Sequence, residues 1–212
     1  HLLSYENKKI GIEKSDISVR SLFLDSKNTL WIGTIGDGVF QLKEGKYKNY
    51  TTEDGLRDNT IYCITEDDQG RVWLGTDKGL SRIETNGKIT TFSENQGLAD
   101  NYVRCALKDN NGIMWFGTYR GLSRFQDGVF QNFTTKNGLA NNIVLSITQD
   151  TKGTIWLATE NGLCQMKPNI NNKQTDAFIN YTKKEGLASQ NLWAIIEDGE
   201  GNLWIGHRNG ID

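Results

Sequence analysis

Apolar residues in this chain come in short β-branched and aromatic runs, separated by clusters of Gly, Asp and Asn. In the clearest case Thr60–Glu66 (TIYCITE) predicts a strand, and Asp67-Asp68-Gln69-Gly70 behind it is the chemistry of a tight hairpin turn. Arg71–Thr76 is then the return strand, and Asp77-Lys78-Gly79 turns the chain again. Leu80–Glu84 is a third strand, and Lys88–Phe92, after Asn86-Gly87, is a fourth. Comparable outer strands are expected at Leu2–Tyr5, Tyr47–Thr51, Gly128–Thr134 and Phe178–Thr182. A helical reading fails: 23 glycines recur every few residues, and apolar positions never hold a 3.6-residue period for two full turns.

The pattern is periodic. Arg71–Leu80 (RVWLGTDKGL) returns as Ile113–Leu122, Thr154–Leu163 and Asn202–Ile211, and with one extra residue as Thr29–Val39. The repeats centre on Trp31, Trp73, Trp115, Trp156 and Trp204, in steps of 42, 42, 41 and 48, the last lengthened by a polar insertion around Pro168–Asp176. Four short antiparallel strands per repeat of this length is the spacing of a propeller blade. The expected fold is therefore an all-β β-propeller of four-stranded antiparallel blades, with residues 1–212 one propeller region. Four complete blades and one split or partial blade are expected, as a piece of a longer array.

Slots filled alike in every copy read as structural. An Asp stands six residues before each Trp (Asp25, Asp67, Asp109, Asp150, Asp198), where an Asx turn capping the hairpin accounts for it and the later ligands of a calcium loop are missing. The Trp reads as core filler between blade faces. In the polar linkers, such as Ser93–Asn101, a Gly-Leu pair recurs as Gly55-Leu56, Gly97-Leu98, Gly138-Leu139 and Gly186-Leu187. The Leu is expected to plug the space between blades, and the Gly to allow a positive φ beside it. Ten residues before each Trp stands Ser21, Cys63, Cys105, Ser146 or Ala194, a slot that asks for a small side chain. The thiols there read as packing, and no CxxC pair is present.

Composition narrows the function. Lys plus Arg is 24 against 26 Asp plus Glu, with no basic cluster, so no nucleic-acid partner is expected. No apolar run approaches the roughly 20 residues that cross a bilayer, and the start of the chain lacks the layout of a signal peptide. No nucleophile with a base, metal spacing or phosphate loop is visible, so neither catalysis nor a cofactor or metal is expected.

Slots that differ between copies are free for another use. One lies eleven residues before the Trp and holds Arg20, Tyr62, Arg104, Leu145 and Trp193. The other is the turn after the Trp strand: Ile35-Gly36-Asp37, Asp77-Lys78, Tyr119-Arg120, Glu160-Asn161 and His207-Arg208-Asn209. In a propeller this turn and the linker open on one face. Aromatic and guanidinium groups converging there could stack on sugar faces or pair with uronate and sulfate. The candidate ligand-binding residues are Arg20, Tyr62, Arg104, Trp193, Asp77, Lys78, Tyr119, Arg120, His207 and Arg208. His207, which replaces the Thr of the repeat, is the one candidate base beside the terminal His1.

The pattern GL-x-x-N-x-[VI]…D-x-x-G-x-[LIV]-W-[IVL]-G-T-x-x-GL-x-R, matched at nearly every element by Asn101-Tyr102-Val103 through Gly121-Leu122-Ser123-Arg124, resembles the two-component regulator propeller repeat. Ala158, His207 and Asn28 depart from it. The resemblance implies a periplasmic or extracytoplasmic sensor region of a bacterial hybrid histidine kinase or membrane-bound cyclase. It further implies a small-molecule or oligosaccharide ligand and relay to propeller and signalling domains of the same polypeptide. A homodimer is a further expectation. Two other readings stand beside it: a protein-interaction platform, and a lyase of the streptogramin type, whose propeller repeats are similar.

Overall fold

A computed structural model describes residues 16–166 and 178–212, so the strand expected at Leu2–Tyr5 and the insertion around Pro168–Asp176 lie outside the described residues. Every repeat folds as its own antiparallel sheet. Blade 1 is β1 (Val19–Leu24), β2 (Leu30–Thr34), β3 (Val39–Lys43) and β4 (Lys46–Tyr50); blade 2 is β5 (Ile61–Glu66), β6 (Val72–Thr76), β7 (Gly79–Ile83) and β8 (Ile89–Phe92). Blade 3 is β9 (Val103–Lys108), β10 (Met114–Thr118), β11 (Leu122–Gln126) and β12 (Val129–Phe133). Blade 4 is β13 (Val144–Gln149), β14 (Ile155–Thr159), β15 (Gly162–Met166) and β16 (Phe178–Tyr181). Blade 5 has three strands among the described residues, β17 (Leu192–Glu197), β18 (Leu203–His207) and β19 (Gly210–Ile211). Strand order follows the chain in each sheet, the up-and-down meander of a β-propeller blade. The contacts divide the chain into two compact units, His1–Ser93 with blades 1 and 2 and Glu94–Asp212 with blades 3 to 5.

Inside each unit one rule packs neighbouring blades. The Trp-bearing side of one sheet lies on the aliphatic side of the next: Trp31 and Val39 meet Ile61, Ile64, Val72 and Leu74, and Trp115 and Leu122 meet Val144, Ile147, Ile155 and Leu157. The small slot falls where the backbones come closest. Ser21, Cys105 and Ser146 lie opposite Gly33, Gly117 and Ala158 in the ladder, and a Cβ added at Gly117 would run into the Cys105 thiol and Val144 of the next blade. The slot residues also bond across the seam, Ser21 Oγ donating to the Ile61 carbonyl at 3.2 Å. Buried thiols serve here as packing, and burial pushes the Cys164 thiol up to about 12.

The recurring Asp does more than cap the hairpin. In blade 2 one Asp67 carboxylate oxygen accepts the backbone N–H groups of Gln69 and Arg71, while the other accepts the indole N–H of Trp73 at 2.7 Å. The same Asp–Trp bond closes blades 1, 3, 4 and 5 at 2.9, 2.9, 2.9 and 2.7 Å. Each hairpin is thus clamped to the indole ring that its own return strand carries. Burial raises the pKa of Asp25, but the donors, Trp31 first, outweigh it and hold the carboxyl below the usual range.

The linkers are more ordered than a polar connection. Thr51, Thr134 and Thr182, expected in the outer strands, instead cap short 3-10 turns, each completing a capping box with Asp54, Asn137 or Glu185. Gly55, Gly138 and Gly186 end these turns at φ 107°, 94° and 109°, values that favour glycine. Leu56, Leu98 and Leu139 behind the linker glycines are buried as expected, Leu139 within the seam of blades 3 and 4.

Candidate functional site

The variable slots share one end of each blade. There the Thr that closes the Trp strand locks the turn: Thr76 Oγ1 donates to the Gly79 carbonyl at 2.8 Å and accepts the Lys78 N–H at 3.1 Å, and Thr118 does the same with Gly121 and Arg120. Gly79 and Gly121 take φ of 120° and 143° against the carbonyls of Phe92 and Phe133, where a Cβ would collide. With its backbone held this way, the turn projects Asp77, Lys78, Tyr119 and Arg120 outward.

The first-strand slot has its own cause. In all five blades the ladder between the first and second strands slips by one residue at this slot, between Val19 and Ser21, Ile61 and Cys63, Val103 and Cys105, Val144 and Ser146, and Leu192 and Ala194. Arg20, Tyr62, Arg104, Leu145 and Trp193 are therefore the extra residues of five β-bulges. A bulge leaves its residue out of the ladder and re-aims its side chain, so this position can vary without disturbing the seam.

Bulge and turn meet within a blade. Tyr62 Oη donates to Asp77 Oδ2 at 2.9 Å, and the Arg104 guanidinium lies 5.7 Å from the centre of the Tyr119 ring. Arg20 of blade 1 lies over the Tyr62 ring at 5.8 Å. The linker joins the same surface. Lys78 Nζ sits 2.8 Å from Asp58 Oδ2, a bond that raises the Lys78 pKa; at Asp58 burial pushes upward, but Lys78 prevails and lowers it. Arg120 pairs with Asp100 at 3.0 Å and reaches Glu94 at 3.6 Å, and Tyr102 stacks on Tyr119 with centroids 5.4 Å apart. Sequence reading missed Tyr102, Asp58, Asp100 and Glu94. Tyr102 stands just before the first strand in a slot that holds Ser18, Thr60, Tyr102, Ile143 and Asn191, so comparing copies two residues further from the Trp would have found it.

Blade 5 differs. Trp193 is exposed, its indole N–H bonded to Asn191, and Arg208 is exposed on the turn. His207 is not brought to the surface: its side chain is buried, and Nδ1 accepts the Asn209 N–H at 3.1 Å, the bond that Thr76 and Thr118 accept in their blades. It fills the threonine's structural place, with Nε2 3.6 Å from Asp212 Oδ2. No group of three or more His, Cys, Asp or Glu side chains among the described residues could hold a metal ion.

A family model described as two component regulator propeller matches residues 13–36, 55–78, 97–120, 138–161 and 186–209, more than half of the chain. Among curated proteins none matches. The extracellular domain of a hybrid two component system from B. thetaiotaomicron is similar at 27% identity and a TM-score of 0.81, over 92% of this chain and 27% of that one. The extracellular domain of a one component system from the same organism shares 20% identity at a TM-score of 0.64, over 93% of this chain and 36% of that one. Virginiamycin B lyase from Staphylococcus aureus, solved with quinupristin, shares 15% at a TM-score of 0.71, over 94% of this chain and 70% of that one. At such identities the last two show the fold alone. The chain spans about a quarter of the length of the hybrid-system domain.

Proposed function

The chain belongs to the two-component regulator propeller family, and from that premise we propose that it is a ligand-reading region of an extracytoplasmic bacterial receptor. It takes a small carbohydrate-derived molecule at the blade ends built from bulge, turn and linker. The occupied state is passed to signalling domains of the same polypeptide. One observation carries this reading: positions that differ between repeats are brought by the bulge and the locked turn to one end of each blade, while positions that agree are spent on the seams. Tyr102, Tyr119 and Arg104 there combine flat aromatic area with a cation, a pairing suited to sugar rings bearing acidic groups. The relation to the extracellular domain of a hybrid two component system supports the location and the signalling role. Binding is favoured over turnover because the one candidate base, His207, is turned inward as a turn-locking group.

The test is a thermal-shift screen against neutral and acidic oligosaccharides, followed by calorimetry. A ligand should raise the melting temperature of the native chain, and Tyr119→Ala should weaken its binding by at least about tenfold. If the folded protein responds to no glycan, sugar sensing is wrong and a platform for a protein partner becomes the better reading.

A further inference from the structure

Linker and turn are joined at one side chain in some blades and not in others. The slot three residues behind the linker Gly holds Asp58, Asp100, Asn141 and Ser189 in blades 2 to 5. Each accepts the backbone N–H two residues on, at 2.8, 2.7, 2.8 and 3.2 Å. That cap asks for one oxygen only. In the two Asp the second oxygen takes a cation from the turn: Asp58 Oδ2 holds Lys78 Nζ at 2.8 Å, and Asp100 Oδ2 holds Arg120 Nε at 3.0 Å. The second turn residue follows the slot, being Lys78 or Arg120 where the slot is Asp, and Asn161 or Asn209 where it is Asn or Ser. Blade 1, whose turn is one residue longer, has Asp16 in the slot and no cation in the turn.

What the bridge joins matters more than what it adds to stability. Lys78 and Arg120 are 67% and 70% exposed, and an ion pair with one arm so open to water contributes little to folding. In blade 3, however, both of its ends lie beside the aromatic pair. Asp100 stands two residues before Tyr102, Arg120 directly follows Tyr119, and those two rings stack with planes 14° apart. The tyrosines come from separate segments, and the bridge ties those segments together next to them. In blade 2 the same bridge lies beside Asp77, which accepts the Tyr62 hydroxyl. Blade 4, with Asn141 and Asn161 in place of the charged pair, has Ile143 and Glu160 where blade 3 has the tyrosines.

We propose that Asp100 and Arg120 are a positioning pair: they lock linker to turn so that Tyr102 and Tyr119 offer one rigid aromatic surface, and Arg120 does not itself bind an acidic group of the ligand. This rests on the reading of the blade end as a ligand site, and it divides the residues there by task. Tyr102, Tyr119 and the bulge residue Arg104 meet the ligand, while Asp100 and Arg120 act through the two rings. Asp58 and Lys78 do the same for Asp77 in blade 2.

Asp100→Asn separates positioning from binding. The amide keeps the cap, as Asn141 does in blade 4, and removes the charge that holds the guanidinium. Without ligand, NMR of the native chain should show Overhauser contacts between the Tyr102 and Tyr119 rings. Asp100→Asn should lose them with its urea midpoint unchanged, and Arg120→Gln, at an exposed position, should lose them as well. Arg120→Lys should keep them, as Lys78 keeps its bridge to Asp58. Calorimetry with oligogalacturonate then reads a sign. If Arg120 positions the rings, Asp100→Asn weakens binding by at least about fivefold; if Arg120 binds the acidic group, freeing it from a competing carboxylate leaves affinity equal or higher. Ring contacts that are absent from the native chain or survive in Asp100→Asn, or an affinity that holds or rises, would overturn the proposal. A native chain that binds no oligogalacturonate counts against the ligand reading alone, and the ring contacts then decide the positioning pair by themselves.

Discussion

Trp73 and Trp204 occupy the same slot of the same repeat, make the same 2.7 Å bond to the Asp six residues earlier, and differ in nearly everything around them. Trp73 is wholly buried and Trp204 is 49% exposed. The Asp–Trp clamp is therefore a local device of the hairpin: one loop brings carboxylate and indole together whether or not a neighbouring sheet arrives. Burial is a separate matter, decided by what covers the blade. Clamps should be worth most where water cannot replace them.

Removing the carboxylate in the two places separates the local contribution from the buried one. Asp67→Ala strips acceptors from the Trp73 indole, two backbone N–H groups and the Arg71 guanidinium at a buried site. It should lower unfolding stability by about 3–5 kcal/mol, measured by urea denaturation. In Asp198→Ala water can reach the freed donors, and the loss should be a small fraction of that. Equal losses at both positions would mean that the clamp acts through hairpin geometry alone.

Acid probes the same clamps more gently. At Asp150 burial pushes upward, but the Trp156 indole and backbone donors outweigh it and lower the pKa; at Asp198 the Trp204 indole leads in lowering it. Groups with a depressed folded pKa contribute stability that is present above the unfolded value, near 3.9 for Asp, and is lost as pH falls through the folded value. Denaturation midpoints should therefore change little between about pH 7 and pH 5 from these groups, and fall below about pH 4 as the unfolded chain takes up protons first. A midpoint that rose on acidification would contradict the assignment of these carboxylates as hydrogen-bonded anions.

Much of this was legible because the chain states its plan five times. Repeat length, strand pattern and the buried Leu plugs followed from spacing, and the strands of blade 2 lie within a residue of their expected bounds. The bulge was not legible, since one unpaired residue leaves the period of 2 intact on either side. Nor was the clamp, because the Asp already had a sufficient local explanation as a turn former. Arg104 and Tyr119 were visible as variable positions, but their contact depends on the bulge aiming one toward the other. The place of His207 needed coordinates for another reason: imidazole differs from a threonine hydroxyl in shape, yet its Nδ1 offers the same acceptor to the N–H two residues on.

The smallest expected effect bears on function most directly. If the blade ends are free of structural duty, a substitution there should leave the fold almost untouched. Tyr62→Phe removes the hydroxyl that donates to Asp77 and keeps the ring beneath Arg20. Both partners are part-exposed and water can replace the bond, so stability should move by no more than about 0.5 kcal/mol in the same urea titration that registers Asp67→Ala. A drop of several kcal/mol would mean that the bulge residue anchors the blade. Variation among Arg20, Tyr62, Arg104, Leu145 and Trp193 would then reflect five solutions to one packing problem, and the argument for a ligand at this end would lose its footing.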